Sequence, residues 1–110
     1  MKIKNLFNSD KKPLMPGALA AAFGGERAMV NLVELKGGLE VPAHAHPEEQ
    51  LTLVLEGRIA FELEGEVCEL GPGDVLWVPA GAAHRVVALE PSRVLDVFSP
   101  VRADLLEKLG

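Results

Sequence analysis

Gly38-Leu39-Glu40-Val41-Pro42-Ala43-His44-Ala45-His46-Pro47-Glu48-Glu49-Gln50 is the stretch on which the reading of this chain turns. It runs from a glycine through five residues to His-Ala-His, then three residues to Gln50 and six more to Gly57. A second block starts at Gly73, reaches Pro79 after five residues and continues Ala80-Gly81-Ala82-Ala83-His84. The two blocks hold all three histidines of the chain. Side chains two apart on an extended segment point the same way, so His44 and His46 aim their imidazoles at one point, and His84 must arrive from another strand. Imidazole suits Mn, Fe, Co, Ni, Cu or Zn, and three ring nitrogens with one side-chain oxygen leave two open positions in octahedral coordination. One divalent transition-metal ion per chain is the expected cofactor. The competing reading keeps the histidines for packing alone.

Outward from these blocks the chain reads as short strands between turn signals. They are Ala18 to Phe23, Ala28 to Leu35, Leu51 to Glu56, Ile59 to Leu63, Val67 to Leu70, Val75 to Val78, Arg85 to Leu89 and Val94 to Phe98. Apolar and acidic residues alternate most clearly in Ile59-Ala60-Phe61-Glu62-Leu63 and Val67-Cys68-Glu69-Leu70, the pattern of strands covering one side of a core. Ala18-Leu19-Ala20-Ala21-Ala22-Phe23 favours helix on propensity, but it is boxed between Pro16-Gly17 and Gly24-Gly25, too short for an isolated helix, and is read as a strand. Ala103 to Leu109 has apolar residues at helical spacing and predicts a short C-terminal helix packing Leu105, Leu106 and Leu109. Residues 1–15 read as a polar N-terminal arm anchored by Phe7 and Leu14, and residues 16–110 as one all-β domain.

Composition narrows the function. A chain of 110 residues, 48% hydrophobic, buries roughly two thirds of its surface on folding and makes one domain. The net charge of -5 and the scatter of its Lys and Arg argue against nucleic acid or an anionic membrane as partner and leave a small molecule. Cys68 is the single cysteine, so no intrachain disulfide forms; it is expected as a buried small hydrophobe in a reducing compartment. Neither a secretory leader nor an apolar stretch near the ~20 residues of a membrane span is present, which points to the cytoplasm.

The two blocks resemble the paired motifs of the cupins, G(X)5HXH(X)3-4E(X)6G and G(X)5PXG(X)2H(X)3N. Eight of the ten fixed positions are met; Gln50 replaces the usual Glu, and Ala88 the frequent Asn. The resemblance implies a double-stranded β-helix, the jelly-roll barrel, with the metal at its mouth and a homodimeric assembly; in such a dimer an arm such as residues 1–15 could pair with a neighbour's sheet edge and cover its exposed strand hydrogen bonds. Glu48 and Glu49 compete as the oxygen ligand, but the spacing of Gln50 to Gly57 matches the motif. A neutral amide ligand leaves a divalent ion its full charge, strengthening it as a Lewis acid and favouring an anionic substrate.

Within the cupins, His44 to Gly57 and the ending Val87-Ala88-Leu89-Glu90 through Leu95-Asp96-Val97-Phe98-Ser99-Pro100-Val101-Arg102-Ala103-Asp104 are similar to small proteins of the KdgF type. Glu48 departs from a frequent histidine there, and Leu53 from a frequent Tyr. Those proteins linearise unsaturated uronates, so the resemblance implies metal ligands His44, His46, Gln50 and His84, and catalytic positions Asp96, Phe98 and Arg102. From the residues alone, Asp96 and Phe98 share strand parity and face one side. If that side is the interior, Asp96 is a candidate general acid or base, and Arg102 can clamp a carboxylate bidentately. The competing readings are an outward or Arg-paired Asp96, a packing role for Phe98, and a surface ion pair of Arg102 with Asp104 or Glu107. The reading is a metal-dependent, non-redox enzyme acting on a small sugar-acid-like substrate, with a cupin dioxygenase or a non-catalytic sensor as alternatives.

Overall fold

Turn residues cut the chain into segments of four to eight residues, and such segments bury their apolar positions by pairing rather than by coiling. The computed structural model describes residues 1–110. Ten strands result: β1 Lys12–Met15, β2 Ala18–Gly24, β3 Met29–Leu35, β4 Glu40–His44, β5 Glu49–Glu56, β6 Ile59–Leu63, β7 Glu66–Leu70, β8 Val75–Val78, β9 His84–Ala88 and β10 Ser92–Ser99. Helix α1, Ala103–Leu109, follows. A six-stranded sheet has the order β1-β2-β3-β10-β5-β8 and a four-stranded sheet the order β4-β9-β6-β7. All pairings are antiparallel, and the arrangement is the expected jelly roll.

The core lies between the sheets, with Ile59 and Phe61 from one and Met29, Val33, Val54, Val94 and Phe98 from the other. The alanine-rich segment is indeed a strand, paired residue for residue from Ala18↔Leu35 to Gly24↔Met29. The small side chains of Ala20 and Ala22 sit fully buried in the core, so close packing overrides helix propensity. In α1, Leu105 and Leu109 are buried and Leu106 is half-buried against the core.

The outer face of the six-stranded sheet is also apolar. Ile3, Leu6 and Phe7 of the arm form a groove there with Val30, Leu32, Leu55 and Leu95. Lys4 Nζ donates to Ala22 O at 3.0 Å, and the Arg93 guanidinium lies 4.8 Å from the centre of the Phe7 ring. The arm's last four residues form β1 on β2 of the same chain. At the opposite edge, Leu51, Val75 and Trp77 stay exposed.

Two sequence expectations change. Strand β4 begins at Glu40, ahead of the histidines, where Pro42 and a run of exposed residues hide any alternation. Cys68 is exposed rather than buried, and Val67 is 65% exposed. Their strand β7 is the edge of the four-stranded sheet, where a residue facing the core side need not be covered by the other sheet. No helix is long and apolar enough to cross a membrane.

Candidate metal site

The site is assembled where the two sheets meet. His44 ends β4 and lies directly across from His84, the first residue of β9, so the four-stranded sheet contributes two imidazoles. His46 stands in the short connection to β5, which carries Gln50 in the six-stranded sheet. The turn of the second block is tied to the first by Gly81 N donating to His46 O at 2.8 Å. Gly81 has φ +78°, a conformation that strains any side chain, which explains a glycine at that point of the pattern.

The ligating atoms of His44, His46 and His84 all lie within 4.8 Å of one another, with ring centroids 4.2 to 5.8 Å apart. Each imidazole is anchored from behind. Nδ1 of His44 donates to Pro42 O at 2.9 Å, Nδ1 of His46 to Glu48 O at 3.0 Å, and Nδ1 of His84 to Ala82 O at 2.9 Å. Carbonyls only accept, so all three Nε2 atoms carry free lone pairs toward a common centre. His84 Nε2 is buried with no partner. Burial, ahead of the neighbouring imidazoles and Arg102, lowers the His84 pKa and keeps the ring neutral, the form that binds metals. Phe61 stacks on His84 at 5.9 Å, and Phe98 meets His46 edge-on at 5.6 Å.

Gln50 is held by a relay. Its Nε2 donates to Thr52 Oγ1 at 2.8 Å and to Asp96 Oδ1 at 3.3 Å, while Thr52 Oγ1 donates to Asp96 Oδ1 at 2.8 Å. The amide oxygen is thereby turned toward His46 and lies 3.0 Å from its Nε2. With Nδ1 as the donor of a neutral ring, that contact joins two lone pairs, which repel unless a proton or a metal ion lies between them. This donor set, three ring nitrogens and one amide oxygen, fits a divalent transition metal. The rival oxygen donors point elsewhere. Glu49 Oε2 accepts from Trp77 Nε1 at 2.9 Å on the exterior, and Glu48 Oε1 lies 3.6 Å from His46 Nδ1, behind the ring.

Asp96, Phe98 and Arg102 reach the same place. They line a cavity of about 100 Å³ together with His44, Gln50, Thr52 and His84, so Asp96 and Phe98 face inward. Burial pushes the Asp96 carboxyl up to about 6, with Thr52, Arg102 and Gln50 acting against the rise. Arg102 lies 5.1 Å from the centre of the Phe98 ring, 3.9 Å from Glu48 Oε1 and 3.7 Å from Asp104, contacts too long to lock its fork. The ion pair with Asp104 foreseen from sequence is present, and Glu48 is a further acidic neighbour that was not.

Thr52 and Asn31 escaped the sequence reading. Each is a polar residue with apolar residues on both sides, Leu51-Thr52-Leu53 and Val30-Asn31-Leu32. Because the outer face of this sheet is also apolar, alternation could not show that these polar residues point inward. An isolated polar side chain inside such a run was the available signal.

Residues 31–98 match the family model described as Cupin domain. Over 72 residues the chain is 38% identical to the pectin degradation protein KdgF of Dickeya dadantii, covering 64% of this chain and 66% of that one. It is 35% identical over 63 residues to the dimethylsulfoniopropionate lyase DddQ of Ruegeria pomeroyi, covering 56% of this chain and 31% of that protein. The solved structure of KdgF from a Halomonas species superposes with a TM-score of 0.88 at 34% identity, covering 96% of this chain and all of that one. With the barrel, the inward histidines and both motif blocks accounted for, this chain belongs to the cupin family.

Proposed function

We propose that the protein holds one divalent transition-metal ion through His44, His46, His84 and the amide oxygen of Gln50, and rearranges a small anionic sugar-acid substrate without redox chemistry. The observation that carries this reading is the adjacency of a three-imidazole cluster to an inward carboxylate, Asp96, linked to it through Thr52 and Gln50. The likeness to a pectin degradation protein KdgF and to a second KdgF supports a sugar-acid substrate, and the form we propose is an unsaturated uronate. The ion supplies Lewis acidity toward a substrate oxygen, undiminished by any carboxylate ligand.

The residues do the rest. Arg102 binds the substrate carboxylate, exchanging its long contacts for a bidentate pair. Asp96, with a pKa near the working range, takes the proton of the anomeric hydroxyl as the bond from the anomeric carbon to the ring oxygen breaks. The electron pair left on that oxygen forms an enolate, and return of a proton to carbon completes a net isomerisation to the open keto acid. Phe98 walls the site beside His46 and carries Arg102.

The test is loss of ultraviolet absorbance from an unsaturated uronate, compared with its uncatalysed opening, with each divalent metal supplied in turn. Acceleration that disappears with chelator is expected. No acceleration with any metal would end the uronate reading, and oxygen uptake with iron would favour a dioxygenase. Elemental analysis should give about one ion per wild-type chain and a clear loss in His44→Ala and His84→Ala; equal metal content in all three would refute the metal site.

Assembly and location belong to the same proposal. The chain works in the cytoplasm, in keeping with its exposed unpaired thiol, as a homodimer burying the exposed Leu51, Val75 and Trp77. Light scattering giving a monomer near 11.8 kDa would refute the dimer.

A further inference from the structure

One polar group of the cavity has no role in the scheme above. Asn31 is 1% exposed, and its Oδ1 is buried with no hydrogen-bond partner. It lines the same cavity as His44, His84 and Asp96. Across the six-stranded sheet, Asn31 pairs with Asp96 from one side while Thr52 pairs with Asp96 from the other. The three side chains thus form an inward polar row. Thr52 is engaged with Asp96 Oδ1, but Asn31 is not tied to the carboxylate it faces. Val33, Val41, Val94 and Leu105 of the same lining are apolar and offer it no partner, and none of the polar lining residues bonds its Oδ1.

A buried amide left unpaired is costly, and a fold that needed only packing would favour an apolar side chain of similar shape at this position. The group is therefore suited to a partner that enters from outside. We infer that Asn31 is a specificity residue that binds a hydroxyl group of the substrate, next to Asp96 in the cavity it shares with His44, Gln50 and His84. A hydroxyl both donates and accepts, so it satisfies the amide in either orientation. The inference rests on the sugar-acid reading of the site and deepens it: the substrate must carry a hydroxyl in addition to the carboxylate held by Arg102, and an analogue lacking it should be rejected because the amide would stay unpaired.

The experiment compares wild type, Asn31→Leu and the smaller Asn31→Ala, all metal-loaded, in calorimetric titrations with an unsaturated monouronate and its 2-deoxy and 3-deoxy analogues. Melting temperature and metal content serve as controls on folding. Wild type should bind one deoxy analogue at least about tenfold more weakly than the parent. In both variants that preference should vanish, through loss of affinity for the parent, with metal content unchanged. Asn31→Leu should melt at or above the wild-type temperature. A uronate that binds wild type and both variants alike, or deoxy analogues that match the parent on wild type, would overturn the role of Asn31 and leave the substrate class standing. Failure of wild type to bind the uronate at all would overturn both.

Discussion

Strands β5 and β10 run side by side for most of their length, yet their two ends serve different purposes. At one end the inward positions are Val54 and Val94, both buried in the core. Two and four residues along, with the same parity, they are Thr52 with Asp96 and Gln50 with Phe98. The backbone ladder continues through both. Alternation determines which positions face inward; the chemistry of those positions decides whether that length of barrel is core or site. The polar end is expensive, as the raised Asp96 pKa records, and the apolar end contributes the stability that offsets it.

The largest expected break in this contrast is Asp96→Asn, which keeps shape and removes the base. Turnover of an unsaturated uronate should fall by roughly 10²-fold to 10⁴-fold with little change in KM and with metal retained. A kcat within a factor of three of wild type would remove Asp96 from the proton step. At the apolar end, Val54→Ala should cost about 2–3 kcal/mol in urea unfolding while leaving metal content and KM as they are. A Val54 variant that lost metal instead would show that the two ends are not separable.

Arg102→Ala comes next. It should raise KM by about tenfold to a hundredfold with a smaller effect on kcat, since the clamp acts in ground and transition states alike. An effect confined to kcat would assign Arg102 to the chemical step. The smallest effect concerns pH in the metal-free protein. The folded-state pKa of Asp96, about 6, lies above its ordinary 3.8, so the stability this group contributes is complete below pH 3.8 and lost as pH rises through 6. Asn does not titrate. Asp96→Asn should therefore gain on wild type across that window, by about 1 kcal/mol or more at pH 7; denaturation midpoints that run parallel from pH 4 to 7 would contradict the assignment.

How much of this was legible beforehand follows from what each pattern encodes. Strands such as Ile59–Leu63 have one wet face, and their alternation located them to the residue. The six-stranded sheet is apolar on both faces because the arm covers part of its exterior. Hydrophobicity there marks the strand without marking its inward side, and so Thr52 and Asn31 went unseen. The histidines were legible because their spacing alone carries geometry. The exposure of Cys68 was not, since strand order across a sheet is set by pairings remote in sequence, and nothing in Val67–Leu70 announces an edge.

The bond from Gly81 N to His46 O has a kinetic reading. It joins segments 35 residues apart, and the imidazoles come from strands that meet only when the barrel has closed. Contacts of such long sequence separation form late and slowly. A nascent or half-folded chain thus offers only the local donors His44, His46 and Gln50, without His84, and ion uptake should lag behind collapse rather than initiate it. Once taken up, an ion that binds only the closed barrel makes reopening less frequent in proportion to its occupancy, so the supply of metal would set the lifetime of the finished protein.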